Sequence, residues 1–117
     1  MKTIIVIEDD AAILDIVNQI LQSEGYHVVV SHHKNLIADI EKAQSCILLL
    51  DEWMAVKKGS ELIKELKQNP ATKNVPVILF SAINNLEQVA KRCGADAYLK
   101  KPFDIDELIN VVKSFSS

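Results

Sequence analysis

Five apolar runs of strand length punctuate the chain, and between them apolar residues recur at helical spacing. Cys46-Ile47-Leu48-Leu49-Leu50 carries no polar residue and drives straight into Asp51. Such a run predicts a strand buried on both faces at the centre of a parallel sheet. Thr3-Ile4-Ile5-Val6-Ile7 repeats the pattern and ends in Glu8-Asp9-Asp10. His27-Val28-Val29-Val30 and Val77-Ile78-Leu79-Phe80 give two more strands, the second ending on Ser81, and Ala95 to Leu99 gives a fifth, less hydrophobic one that leads into Lys100-Lys101-Pro102.

The intervening segments read as helices. Ile13, Ile16, Val17, Ile20 and Leu21 share one face of a helix covering about residues 10 to 23, with Gly25 beyond it as a stop. Leu36, Ile37 and Ile40 mark a second, more weakly amphipathic helix. Glu52 to Lys58 read as a loop, and Gly59 is expected to supply freedom of turn before a helix bearing Leu62, Ile63 and Leu66. Leu86, Val89 and Ala90 define a fourth helix stopped by Gly94, with Asn84 and Glu87 at the spacing of a capping pair. Asp104 and Glu107 open a last helix whose Ile105, Leu108, Ile109 and Val112 form one apolar stripe. Alternating strands and helices predict a doubly wound α/β domain over residues 1–117. Right-handed crossovers and helices on both faces leave few arrangements, among them the strand order 2-1-3-4-5, which would place the first and third strands side by side at the switch point.

Composition narrows the function. The chain's 117 residues, 49% of them hydrophobic, suit one compact domain with a real core. With 13 basic against 16 acidic residues, the net charge of -3 offers no electrostatic footprint for nucleic acid or an anionic membrane. Cys46 and Cys93 lack metal or redox spacing and read as small buried hydrophobes in a reducing, cytoplasmic setting. No apolar run approaches the length of a membrane span. His32 and His33 are adjacent and lack the spacing of a helical metal pair, so they read as surface residues, and Lys57 and Lys58 as a solvated loop.

In the expected topology Glu8, Asp9, Asp51, Ser81 and Lys101 all fall at the carboxyl ends of strands, on one edge of the sheet. Two carboxylates about 4 Å apart repel by roughly 4 kcal/mol at an effective dielectric near 20, so acids converging there call for a cation. Hard oxygen donors of this kind suit Mg²⁺. A carboxylate nucleophile, a metal, a hydroxyl and an ammonium are the parts needed to form and hold an acyl phosphate.

With those residues in place the chain resembles the receiver domain of two-component response regulators, of the stand-alone chemotaxis-regulator type with a flavodoxin-like (βα)5 fold. Val6-Ile7-Glu8-Asp9-Asp10 is similar to the family's acidic pocket, Asp51 with Met54 and Gly59 to its phosphoacceptor strand and loop, Phe80-Ser81-Ala82 to its switch hydroxyl, and Lys101-Pro102-Phe103 to its lysine and proline. The resemblance implies a switch, not an enzyme with an external substrate. Asp51 would accept phosphate from a histidine kinase or phosphotransfer protein, while Glu8 and Asp9 would hold Mg²⁺ with Asp51 and the backbone carbonyl of Trp53. Lys101 would contact the phosphoryl group, and Ser81 would move toward it. Tyr98 would turn inward on activation, although a half-buried strand aromatic also fits that position. The Lys101-Pro102 bond is expected to be cis, a downstream protein target to use the helix 4, strand 5 and helix 5 face, and the chain to be a monomer or weak dimer.

Departures from the family pattern are few. Ala55 stands where a proline is usual and should loosen the loop, Glu8 replaces the commoner aspartate, and Ser81 replaces the frequent threonine. Trp53 and Ile83 occupy the two positions that border the approach of water, and neither can orient it, which implies slow self-dephosphorylation unless Trp53 folds outward. Two other functions are weaker fits. A pseudo-receiver that binds partners without phosphorylation would not need all five site positions, and an aspartyl phosphohydrolase would have a second acid where Trp53 stands.

Overall fold

Burial grades the strands from the centre of the sheet outward. The computed structural model describes residues 2–54 and 57–116. All residues of β3 (Cys46–Asp51) and β4 (Val77–Ser81) are buried, as is all of β1 (Thr3–Ile7) beyond its first residue. β2 (His27–Val30) and β5 (Ala97–Lys100) keep exposed positions and form the edges. The sheet is parallel throughout, in the order β2-β1-β3-β4-β5. The fold expectation is therefore met.

Five helices cover the two faces: α1 (Ala11–Ser23), α2 (Leu36–Ala43), α3 (Gly59–Gln68), α4 (Leu86–Cys93) and α5 (Ile105–Lys113). The pleat decides which strand residues meet which helices. Ile4, Val6, Ile47, Leu49, Ile78 and Phe80 pack with Val17 and Leu21 of α1 and with Leu108 and Val112 of α5. Ile5, Ile7, Leu48, Leu50 and Leu79 point the other way, onto Leu36, Ile63, Leu66, Leu86 and Cys93 of α2, α3 and α4. Each fully buried Leu or Ile contributes roughly 1.5–3 kcal/mol from its removal from water.

Register carries this packing into the site. Ile7 lies opposite Leu50, Asp51 opposite Phe80, and Ser81 opposite Lys100. The next residue along each chain, or the strand end itself, is then a polar group at one edge. The Lys101-Pro102 bond is cis, as expected.

Several local expectations need correction. Gly59 is required for space, not for freedom of turn: a Cβ there would stand 2.2 Å from the Asp51 carbonyl oxygen. Asn84 and Glu87 do not cap α4, because the helix begins one residue later than that spacing assumes, with Asn85 as its cap and no side-chain bond to it. The capping pair at α5 does form, with Glu107 Oε1 accepting the Asp104 N–H at 3.0 Å. The fifth strand starts at Ala97 instead of Ala95, since the Asp96 carboxylate turns to accept the Val77 N–H at 2.8 Å and to pair with Lys67 at 2.8 Å. Lys57 is no idle solvated residue but pairs with Glu65 of α3. Ala55, expected to loosen the loop, lies outside the described residues.

Candidate functional site

Asp51 ends the central strand with only 5% of its surface exposed, and Glu8, the residue after β1, stands beside it at 7%. Burying two acids side by side demands a countercharge. Lys101, delivered by β5, supplies it: its Nζ lies 2.6 Å from Glu8 Oε1 and 3.4 Å from Asp51 Oδ1. The same ammonium stands 4.4 Å from the centroid of the Phe80 ring, a cation–π contact that helps hold it in a half-apolar place.

One ammonium cannot neutralise two carboxylates. The Glu8 carboxyl is accordingly pushed up to about 7, first by burial and then by its hydrogen bond and repulsion with Asp51, against the opposing pull of Lys101. Its second oxygen accepts the Asp9 N–H at 3.1 Å. Asp9 is exposed and lines, with Glu8, Asp51, Trp53, Ala82 and Lys101, an open cavity of about 440 Å³ above Asp51. Asp10 lines the same cavity and also caps α1, its Oδ1 accepting the Ala12 and Ile13 N–H groups at 2.9 and 3.3 Å.

Among the described residues no three His, Cys, Asp or Glu side chains form a ready cage for a metal ion. The donor set still suits Mg²⁺, which needs only one or two carboxylates and keeps waters in its remaining positions. The uncompensated charge shared by Glu8 and Asp51 is what a divalent cation would relieve.

The other expected residues divide into two groups. Ser81 is fully buried at the end of β4, where its Oγ accepts the Ile83 N–H at 3.3 Å and so serves its own turn. Tyr98 is 43% exposed and points away from the pocket, its hydroxyl donating to Glu87 Oε1 at 3.1 Å, and that bond raises the phenol pKa. Trp53 is 59% exposed, with the Lys58 ammonium 5.5 Å above its ring, yet it borders the acceptor cavity. Ile83 is partly buried against the α3 and α4 side of the core, and it is Ala82 that lines the acceptor cavity. Cys46 and Cys93 are buried, with thiol pKa values raised by that burial.

Two polar residues escape a reading of sequence pattern alone. Lys100 donates to the Ile83 carbonyl at 3.1 Å and so ties β5 to the turn after β4. Glu52, expected in a loop, is 5% exposed, and Ser60 occupies both its carboxylate oxygens. A charged residue directly after a strand gives no sign that it folds back inward; Ser60, next to the tight Gly59, is the nearest hint.

Comparison with known proteins sets this geometry in context. The family model described as the response regulator receiver domain matches residues 4–113. The transcriptional regulatory protein CpxR of Escherichia coli strain K12 is 33% identical over 116 residues, which cover 97% of this chain and 49% of CpxR. The chain thus spans about half the length of the curated relatives it matches. Among solved structures, a putative response regulator from Chloroflexus aurantiacus J-10-fl superposes with a TM-score of 0.88 at 26% identity, covering 97% of this chain and 96% of the other. The chemotaxis response regulator CheY4 of Vibrio cholerae gives 0.86 at 25% identity, with 98% of both chains covered. No helix among the described residues is long and apolar enough to cross a membrane.

Proposed function

The chain belongs to the response regulator receiver domain family, and from that premise we propose that it is a phosphoacceptor switch of a two-component system, phosphorylated on Asp51. The observation that carries this reading is the placement of a buried Asp51 carboxylate with an ammonium 3.4 Å from one oxygen, under an open cavity. In the reaction an Asp51 oxygen attacks the phosphorus of a phosphohistidine, the phosphorus–nitrogen bond breaks, and an acyl phosphate remains on Asp51. Lys101 offsets charge on the transferred group from the position it already holds. Glu8, Asp9, Asp51 and the Trp53 carbonyl would hold Mg²⁺. When bound, that ion supplies further charge neutralisation at the phosphoryl oxygens.

The donor is a histidine kinase or phosphotransfer protein, and the readout is the face made by α4, β5 and α5. Ser81 and Tyr98 support that assignment, since the first ends the strand next to Asp51 and the second stands on the exposed side of β5. Trp53, at the rim of the acceptor cavity, would shield the acyl phosphate from water and lengthen its life, with Ile83 adding apolar bulk in the neighbouring turn.

The test is the intact mass after incubation with acetyl phosphate and Mg²⁺. The expected result is a gain of one phosphoryl group that Asp51→Asn abolishes. No gain, or a gain that survives in Asp51→Asn, would refute the assignment.

A further inference from the structure

Glu52 follows Asp51 directly and turns inward, with 5% of its surface exposed. A carboxylate removed from water requires hydrogen-bond partners, and one residue provides both. The Ser60 N–H donates to Oε1 at 2.7 Å and the Ser60 hydroxyl to Oε2 at 2.9 Å. The main chain repeats the tie, with the Gly59 N–H donating to the Glu52 carbonyl at 3.1 Å. Gly59 itself lies so near the Asp51 carbonyl that no side chain fits between them.

Asp51-Glu52 and Gly59-Ser60 are thus stitched together, and the connection between them leaves and returns through one closed base. Trp53 is the first residue beyond that base and Lys58 the last before it, and the Lys58 ammonium covers the Trp53 ring. A small displacement of reacting groups can slow a reaction by one to two orders of magnitude, so the base of this loop bears on chemistry at Asp51.

We propose that Glu52 is a positioning residue for the acceptor site: by bonding both carboxylate oxygens to Ser60 it fixes the start of α3 against the Asp51 main chain and sets where Trp53 stands at the cavity rim. The inference rests on the phosphoacceptor reading of Asp51. It depends on hydrogen bonding rather than on charge, which makes it separable from a general electrostatic effect. An amide of the same shape can replace the carboxylate, its oxygen accepting the Ser60 N–H and its NH₂ donating to the Ser60 hydroxyl oxygen.

The experiment uses Glu52→Gln, Glu52→Ala and Ser60→Ala in the full chain. Phosphoryl uptake from acetyl phosphate in Mg²⁺ is followed by intact mass, and the accessibility of Trp53, the chain's one tryptophan, by acrylamide quenching before any donor is added. Glu52→Ala is expected to slow uptake about tenfold and to change Trp53 quenching, Ser60→Ala to move both the same way by less, and Glu52→Gln to stay within about twofold of wild type. Wild-type uptake and quenching in Glu52→Ala would overturn the proposal, as would a Glu52→Gln protein as impaired as Glu52→Ala. Should thermal melting show Glu52→Ala unfolded, Ser60→Ala decides, and wild-type behaviour there overturns it equally. Absence of uptake in wild type would strike the phosphoacceptor reading instead, and the quenching series alone would then decide whether Glu52 positions Trp53.

Discussion

The acceptor pocket and the face formed by α4, β5 and α5 lie at neighbouring strand ends yet are built on opposite plans. In the pocket Glu8 and Asp51 are almost wholly buried, and Lys101 stands within 2.6 and 3.4 Å of them. On the face, Tyr98 is 43% exposed and held by a single hydrogen bond to Glu87, itself a surface residue. Packing and paired charge fix the first region, whereas the second can exchange its contact for water at little cost. A switch needs that asymmetry: chemistry requires groups already in place, and the readout requires groups free to move. Ser81 joins the two, buried like the pocket but bonded within the turn that opens onto the face.

Removing Lys101 should break the comparison most completely. Lys101→Ala keeps the fold, because Glu8 can take up a proton in place of the ion pair, but phosphorylation then no longer reaches Ser81 and Tyr98. A phosphorylated Lys101→Ala protein with the same change in tyrosine fluorescence as wild type would refute this.

Steric intrusion into the fixed region comes next. Gly59→Ala forces a methyl into the Asp51 carbonyl and should cost about 3 kcal/mol in urea unfolding. Gly25→Ala sharpens the contrast, since Gly25 faces open space and only its φ of +90° resists substitution, at about 1 kcal/mol. Equal losses for the two variants would contradict the crowding at Asp51.

The charge imbalance of the pocket should be visible in pH dependence. Glu8 has its carboxyl raised in the folded state from 4.5 to about 7, so between those values the folded protein binds a proton that the unfolded chain releases. Its contribution is full below pH 4.5 and fades as pH rises through 7. In Mg²⁺-free buffer, wild type should therefore lose on the order of 2 kcal/mol relative to Glu8→Gln between pH 4.5 and 8. A constant difference in urea stability across that range would show that Lys101 already balances Glu8.

The exposed face gives the smallest effect. Glu87→Gln removes the charged acceptor of the Tyr98 hydroxyl and should bring the phenol pKa down toward its ordinary value in an ultraviolet titration. An unchanged titration would mean that Glu87 does not hold Tyr98 outward in solution.

The residues of the pocket were legible because apolar strands ending on polar residues announce both the sheet and its functional edge. The apolar runs Cys46–Asp51 and Thr3–Ile7 announce strands by themselves, their adjacency follows only from the family's strand order, and Lys101-Pro102 stands out by following a strand. What remained hidden depends on side-chain direction and on contacts between distant residues. The inward turn of Glu52 is decided by Ser60, eight residues on, and the tightness at Gly59 by a carbonyl on another element. Glu87 matched a cap by spacing, but α4 starts one residue too late for Asn84 to be its cap, which left the carboxylate to Tyr98. Asp9 and Asp10 look alike as neighbours in sequence, and both line the cavity, but Asp10 also caps α1 through its Oδ1.

The most direct test of the switch is an amide-resolved nuclear magnetic resonance comparison of the chain before and after saturating acetyl phosphate with Mg²⁺. The account predicts shifts that begin at Asp51 and extend through the turn after Ser81 into residues 82–87 and along β5 to Tyr98, with β2 and α2 unchanged. Shifts confined to the immediate neighbours of Asp51, or spreading toward β2 and α2 instead, would contradict it.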